Sequence, residues 1–252
     1  MIGQHKLLST IDSFDIMPKS IMLVGERGAG RHLVAQHIAN KMEYELLDIT
    51  DVFDKEVVDN ISEQVIPKFY LIDLDVVDES KHSFLLKTLE EPVSVVNLVL
   101  ITTSLGTVLP TIQSRCQIWY MDNYSKEELR HFTDDERILL YASTPGKIKE
   151  YEKFDINYYQ SVADNILKNI HRASFGNLFN LSAIFTFKDN VFDLFLPILL
   201  DVVKQHLIRG DAYIEQYRLT NDLVFNSSVA HIDKKKLFES YLFKLKEIIV
   251  ES

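Results

Sequence analysis

The chain has 252 residues, 46% apolar and 25% charged, with one cysteine and a formal net charge of −10. That composition excludes a disordered chain and leaves room for one large domain or two to three small ones. The acidic balance argues against a free-standing, sequence-independent DNA binder, which draws its affinity from Lys and Arg displacing counterions. The lone cysteine excludes an internal disulfide framework and a multi-cysteine zinc site.

No apolar run approaches the roughly 18 residues that a membrane span needs. Met1-Ile2-Gly3-Gln4-His5-Lys6 lacks the apolar core of a secretory signal, so a cytoplasmic protein is expected. Met1 to Pro18 reads as an amphipathic helix, with Leu7, Leu8, Ile11 and Phe14 near helical spacing, followed by an extended link. Ser20 to Val24 is a continuous apolar run bounded by turn signals, the pattern of a strand buried on both faces of a parallel sheet.

Gly25-Glu26-Arg27-Gly28-Ala29-Gly30-Arg31-His32 follows at once and opens a helix carrying Leu33, Val34, Ile38 and Ala39. A strand, a glycine turn and a helix N-terminus together make a phosphate cradle, because backbone N–H groups converge and the helix dipole favours an anion. The G-x-x-x-x-G spacing from Gly25 to Gly30 matches the P-loop, but its two decisive positions differ. Arg31 replaces the lysine that reaches the terminal phosphates, and His32 replaces the hydroxyl that ligates magnesium. Arginine keeps the charge and changes the geometry, while imidazole substitutes poorly for a hydroxyl on a hard cation. Three readings stand: a working NTPase, a site that keeps only nucleotide binding, and a strand-to-helix turn that keeps the shape alone. The last is the expectation.

Tyr44 to Ile49 is a candidate second strand and Asp54 to Gln64 a candidate helix. Phe69 to Asp73 is a buried strand ending in a carboxylate, where a P-loop protein places its magnesium-organising aspartate and then a water-activating glutamate. Leu74 holds the glutamate position and cannot polarise a water. Asp73 reads equally as a metal contact or an ordinary strand end. Asp75 and Asp78 read as the acidic cap of the next helix. That helix starts at Ser80, turns Phe84, Leu85 and Leu89 inward, and stops at Glu91 before Pro92.

The Leu98 to Ile101 strand delivers Thr102 and Thr103 to the C-terminal edge of the sheet, where α/β proteins place their ligand crevice. Thr102 there reads equally as a γ-phosphate sensor or as the cap of the next turn. Thr111 to Cys116 forms a short helix presenting Arg115, and Ile118 to Tyr120 is the last strand.

The blocks Leu85 to Pro92, Ile101-Thr102-Thr103 and Leu109 to Cys116, in this order, resemble the bacterial clamp-loader subunits of DNA polymerase III, of the delta-prime and gamma/tau type. Ile2-Gly3-Gln4, the Gly25 to Arg31 loop and Ala142-Ser143-Thr144-Pro145-Gly146-Lys147 fall where that family has its opening Gly-Gln, its P-loop and its lid motif. The motifs cover roughly the first 150 residues, and the remainder matches by helical pattern alone. The resemblance implies an AAA+ fold: a parallel sheet with flanking helices at 1–121, a helical lid at 122–154, and a helical collar at 155–252 that assembles into a pentameric ring.

By the same resemblance Arg115 is an arginine finger reaching ATP on a neighbouring subunit, with Ser114 and Cys116 fixing its helix. Gly25, Gly28, Gly30, Arg31, Asp73, Thr102 and Lys147 line a degenerate nucleotide site. Lys147 stands near the second sensing arginine of active members. The departures at Arg31, His32 and Leu74 point to delta-prime, which donates a finger without hydrolysing ATP. This implies no required cofactor, although ATP or ADP could still occupy the degenerate loop. The zinc module usual in the family is absent from the interval between the two phosphate motifs, which is short and has no cysteine. The implied partners are gamma/tau and delta subunits, with the sliding clamp and primed DNA met through the complex, and no membrane. Two alternatives stand beside this reading: an autonomous ATPase with a variant loop, and an AAA+-shaped scaffold in another assembly.

Ser125-Lys126-Glu127-Glu128 signals an N-capped helix within the lid. Pro145-Gly146 is expected to punctuate a turn, and Tyr151 to Asn157 to link lid and collar. Beyond it, Phe192, Phe195, Leu199, Val202, Val203 and Leu207 form one apolar stripe around Pro197, where a kink is expected. Leu237, Tyr241, Leu245 and Ile248 form another.

Overall fold

A computed structural model describes residues 2–61, 63–185, 187, 190–228 and 232–251; Met1 and Ser62, inside two of the expected helices, lie outside these. The chain divides into two units, Met1–Lys149 and Glu150–Ser252. The segment expected as a lid therefore belongs with the first unit as far as Lys149.

The first unit begins with α1 (His5–Asp12) and then alternates strands and helices: β1 (Ser20–Val24), α2 (Arg31–Lys41), β2 (Glu45–Asp48), α3 (Lys55–Ile61), β3 (Lys68–Asp73), α4 (Leu85–Glu90), β4 (Val96–Thr102), α5 (Pro110–Gln113) and β5 (Gln117–Tyr120). Its five strands are all parallel, in the order β2-β3-β4-β1-β5. A parallel sheet covered on both faces favours near-continuous apolar runs in its central strands; β1 and β4 are buried throughout, with Ser20, Asn97 and Thr102 as their polar members.

Alternate residues go to opposite faces. Ile21, Leu23, Phe69, Leu71, Val99 and Ile101 pack on α1 and α2 through Leu7, Ile11, Val34 and Ile38. Met22, Val24, Tyr70, Ile72, Leu98 and Leu100 pack on α3, α4 and α5 through Val58, Ile61, Leu85, Leu89 and Ile112. Each such leucine or isoleucine contributes roughly 1.5–3 kcal/mol by leaving water.

Several boundaries differ from expectation. The first helix is shorter, because Gln4 takes a left-handed conformation (φ 58°) before it. Its buried side-chain amide explains that geometry: Nε2 donates to the Asp122 carbonyl at 2.8 Å, and Oε1 accepts the Asp122 amide at 2.7 Å. The helix expected from Ser80 begins as a 3₁₀ segment, Glu79–Phe84, and becomes α-helical only at Leu85.

Three short helices complete the first unit: α6 (Lys126–Leu129), α7 (Glu136–Tyr141) and the start of α8 (Pro145–Tyr151). Ser125 forms the expected capping box with Glu128. Pro145 and Gly146 open α8 instead of ending a turn, since proline suits the first helical position, where its missing N–H costs no bond. Tyr151 is no linker residue: it ends α8, is buried, and donates its hydroxyl to the Leu194 carbonyl at 3.0 Å.

The second unit holds α9 (Ile156–Asn169), α10 (Phe175–Ser182), α11 (Val191–Arg209), α12 (Ile214–Ser227) and α13 (Lys234–Glu251). Both predicted stripes turn inward over part of their length, with Leu207, Leu237 and Ile248 only half-buried. Phe192, Phe195, Leu199, Val202 and Val203 are buried on α11, which runs through Pro197 as one helix. From α13, Phe238 stacks on Tyr241 and meets Phe185, Phe192 and Phe195 at ring-centroid distances of 5.2–6.4 Å. Among the described residues no helix is long and apolar enough to cross a membrane.

Candidate functional site

The strand order sets the site. Because β1 lies between β4 and β5, the loop that leaves β1 emerges beside the ends of β4 and, one strand further, β3. The Gly25 amide donates to the Thr102 carbonyl at 3.0 Å, extending the β1–β4 ladder into the loop. The Leu74 amide donates to Ile101 at 2.9 Å, which aligns Asp73 with the same edge. Gly25, Gly28, Gly30, Arg31, Asp73 and Thr102 thus converge at the C-terminal end of the sheet, where α/β folds place their ligands.

There the charged members pair with one another. Arg31, the first residue of α2, is 5% exposed, and its guanidinium turns back onto the sheet edge. Nη1 meets Asp75 Oδ2 at 2.9 Å, and Nη2 lies 3.8 Å from Asp73 Oδ2. Asp75 is the hub. It also accepts the Thr102 hydroxyl at 2.9 Å, the Thr103 amide at 3.0 Å and the Thr103 hydroxyl at 3.1 Å, while its own amide donates to Asp73. Burial pushes the Asp75 carboxyl upward, but the Thr103 amide, the Arg31 guanidinium and the Thr102 hydroxyl outweigh it and hold the carboxyl below its ordinary value.

This corrects the sequence reading of Asp75. Asp78 alone caps the following 3₁₀ turn, accepting the Ser80 amide at 2.9 Å, whereas Asp75 is a buried ion-pair partner. Asp75 lies past the end of β3, in the turn that follows Asp73, so strand alternation gave no signal for its pairing with Arg31. Thr102 is likewise neither a free hydroxyl nor a simple cap, being fully buried and bonded to Asp75 and to Ser104.

The other catalytic positions of a P-loop enzyme are also otherwise engaged. Leu74 is buried in the core formed on the α3–α5 face. His32 is exposed, with Nε2 3.4 Å from Asp48. A cation at Asp73 would have to displace the Arg31 guanidinium, and a terminal phosphate would have to draw Arg31 away from Asp75.

The loop itself is covered by later residues. Tyr124 donates its hydroxyl to the Ala29 carbonyl at 3.0 Å, Thr144 Oγ1 donates to Arg27 at 3.0 Å, and the Gly146 amide donates to Gly28 at 3.1 Å. Lys147, in the first turn of α8, is half-buried and bonds through its amide to Thr144 Oγ1. Thr144 belongs to the block that resembles the lid motif, but its contact with the loop across 117 positions was not legible, and Tyr124, 95 positions from its partner, carries no local motif.

Arg115 is not bonded to this cluster. It lies just beyond α5, exposed, with Nη2 on Glu90 Oε1 at 2.7 Å and Nη1 on the Thr111 carbonyl at 2.8 Å. Ser114 Oγ also caps Thr111, at 3.1 Å. Cys116 is half-buried against the α3–α5 core, where burial raises its thiol to about 12.

A family model described as DNA polymerase III, delta subunit, matches residues 52–125. Among curated proteins, the chain is 27% identical over 215 residues to the DNA polymerase III subunit gamma of Buchnera aphidicola subsp. Acyrthosiphon pisum (strain APS), covering 70% of this chain and 59% of that protein. It is 29% identical over 170 residues to the subunit gamma of Buchnera aphidicola subsp. Schizaphis graminum (strain Sg), covering 52% and 47%. The chain spans about half the length of these relatives. Among solved structures, the Thermotoga maritima RuvB Holliday junction branch migration motor matches with a TM-score of 0.53 at 17% identity, over 80% of this chain and 88% of that one. That likeness concerns the fold alone.

Proposed function

We propose that this chain, a clamp-loader subunit of the AAA+ type as its family-model match and curated relatives support, acts as a delta-prime-like member of a DNA polymerase III clamp loader. It completes a neighbour's ATP site with Arg115 and has no ATPase of its own. In this reading 122–154 serves as its lid and 155–252 as its collar.

The observation that carries the reading is the Arg31–Asp75 ion pair at 2.9 Å. Hydrolysis of a nucleoside triphosphate needs a free cation for the terminal phosphates, a carboxylate for magnesium and a group to orient water. Here the cation and the carboxylates neutralise one another, and the third position is a buried leucine. Gly25, Gly28, Gly30, Asp73, Thr102 and Lys147 then serve the shape of the domain, with residual ADP or ATP binding as an accessory property.

Arg115 is differently placed. Its contact with Glu90 is a solvent-exposed pair, worth about 0–1 kcal/mol, and a phosphoryl group offers a stronger partner. The guanidinium is therefore held at the surface and free to exchange. A finger of this kind stabilises the charge that develops on the transferring phosphoryl group. Gamma/tau and delta subunits are the proposed partners. The net charge of −10 suits a chain that meets primed DNA and the sliding clamp through the assembled complex.

The test is DNA-stimulated ATP hydrolysis by a complex reassembled with gamma-type and delta-type subunits. Arg115→Ala should leave assembly intact and lower hydrolysis severalfold, with the purified chain alone showing no magnesium-dependent turnover. Unchanged hydrolysis in a properly assembled variant complex refutes the finger. Turnover by the chain alone replaces the reading with an autonomous ATPase.

A further inference from the structure

Four consecutive residues of the glycine loop are engaged by the segment that follows the sheet. Ser143 Oγ donates to Glu26 Oε1 at 2.7 Å, Thr144 Oγ1 to the Arg27 carbonyl at 3.0 Å, the Gly146 amide to the Gly28 carbonyl at 3.1 Å, and the Tyr124 hydroxyl to the Ala29 carbonyl at 3.0 Å. A phosphate cradle works by presenting amide donors to an anion. On its other side this loop presents successive acceptors, and each is filled from within the chain.

The packing is equally specific. A Cβ on Gly28 would lie 2.5 Å from the Gly146 Cα, and one on Gly146 would lie 2.4 Å from the Gly28 Cα. The two backbones therefore touch, and neither position has room for a methyl group. Gly28 also has a left-handed φ of +81°, whereas no such φ constrains Gly146, so the requirement for glycine at 146 is purely one of space.

We infer that Ser143–Gly146 and Tyr124 form a latch that holds the start of α8 on the glycine loop in the absence of nucleotide. In this chain the loop is a seat for the chain's own lid segment. Of the P-loop glycines, Gly28 is the one kept for backbone-to-backbone contact. The consequence is a domain whose lid position does not respond to ATP. This inference stands apart from the role of Arg115 and can fail or hold independently of it.

Amide hydrogen exchange on the full-length purified chain, read residue by residue by NMR, tests it. The amide of Gly146 is the decisive probe, because its acceptor lies on the glycine loop and not in α8. Without nucleotide it should exchange slowly, and adding MgATP or MgADP should leave its rate unchanged. Gly146→Ala should accelerate exchange at position 146 by at least about fivefold, the order expected for loss of one protein hydrogen bond with its packing. Gly106→Ala is the control, since a Cβ there meets only Ser104 Oγ at 3.4 Å. Should Gly146→Ala fail to fold, Thr144→Val decides, removing the bond to Arg27 together with the one accepted from the Lys147 amide while keeping the side-chain shape, with the same acceleration at position 146. Rapid exchange of the Gly146 amide that slows only on adding MgATP overturns the latch. So does an unchanged rate in the substituted chains.

Discussion

Asp75→Asn tests the physical core of the site. The substitution keeps the side-chain shape but leaves the Arg31 guanidinium, 5% exposed, without its 2.9 Å partner. Removing one member of a buried pair costs about 3–5 kcal/mol, because the other charge stays desolvated and uncompensated. Asp73, 3.8 Å away, offers a second-best carboxylate, which places the expected loss near the lower end, about 3 kcal/mol. At roughly 2–4 °C per kcal/mol for a unit of this size, the transition should fall by about 6–12 °C. Trp119, the one tryptophan, is buried in β5 and reports the unfolding of this unit by fluorescence. The triple variant Arg31→Met with Asp73→Asn and Asp75→Asn should recover most of the loss, since deleting all three charges removes the desolvation problem. The carboxyl of Asp75 is held below its ordinary value in the folded chain, so its stabilisation is complete above the ordinary carboxylate range of about 4. It is lost as the pH falls through the depressed folded value, and the gap between wild type and Asp75→Asn should close there. A single substitution costing under about 1 kcal/mol, or a triple variant that loses the sum of its singles, refutes the reasoning.

Cys116, with its thiol raised to about 12, should resist alkylation by iodoacetamide at neutral pH and react readily once the chain is unfolded in denaturant. Equal rates in the two states would show that its burial against the α3–α5 core is not real. In the helical unit, Phe238→Ala should cost about 3–5 kcal/mol in urea unfolding, because its ring is fully buried at the centre of the aromatic cluster with Phe185, Phe192 and Phe195. A loss below about 1 kcal/mol would mean that the cluster collapses around the cavity.

Much of the first unit was legible because its strands carry strong local signals. Ser20 to Val24 and Leu98 to Ile101 are continuous apolar runs, and only burial on both faces of a sheet uses such runs in pieces this short. The capping box at Ser125 and the inward stripes of α11 and α13 depend on neighbours within a helical turn or two, so they too were readable. The boundary at Tyr151 was not, because the hydroxyl that ties it down finds its acceptor on Leu194, a partner set by packing.

The sequence by itself determined which residues arrive at the sheet edge: a glycine loop after β1, a carboxylate at the end of β3, a threonine at the end of β4, and the loss of lysine and glutamate at Arg31 and Leu74. Each of these follows from a short run or a local motif. Only the tertiary structure decided what those residues do together. The parallel order β3-β4-β1 brings Arg31 onto Asp75 across 44 positions of chain, and the packing of the segment after the sheet brings Thr144 onto Arg27 across 117. Pairings of that length are fixed by strand order and burial, which no local pattern encodes. They set an ion pair and a run of filled backbone acceptors on a loop that has the spacing of a phosphate cradle.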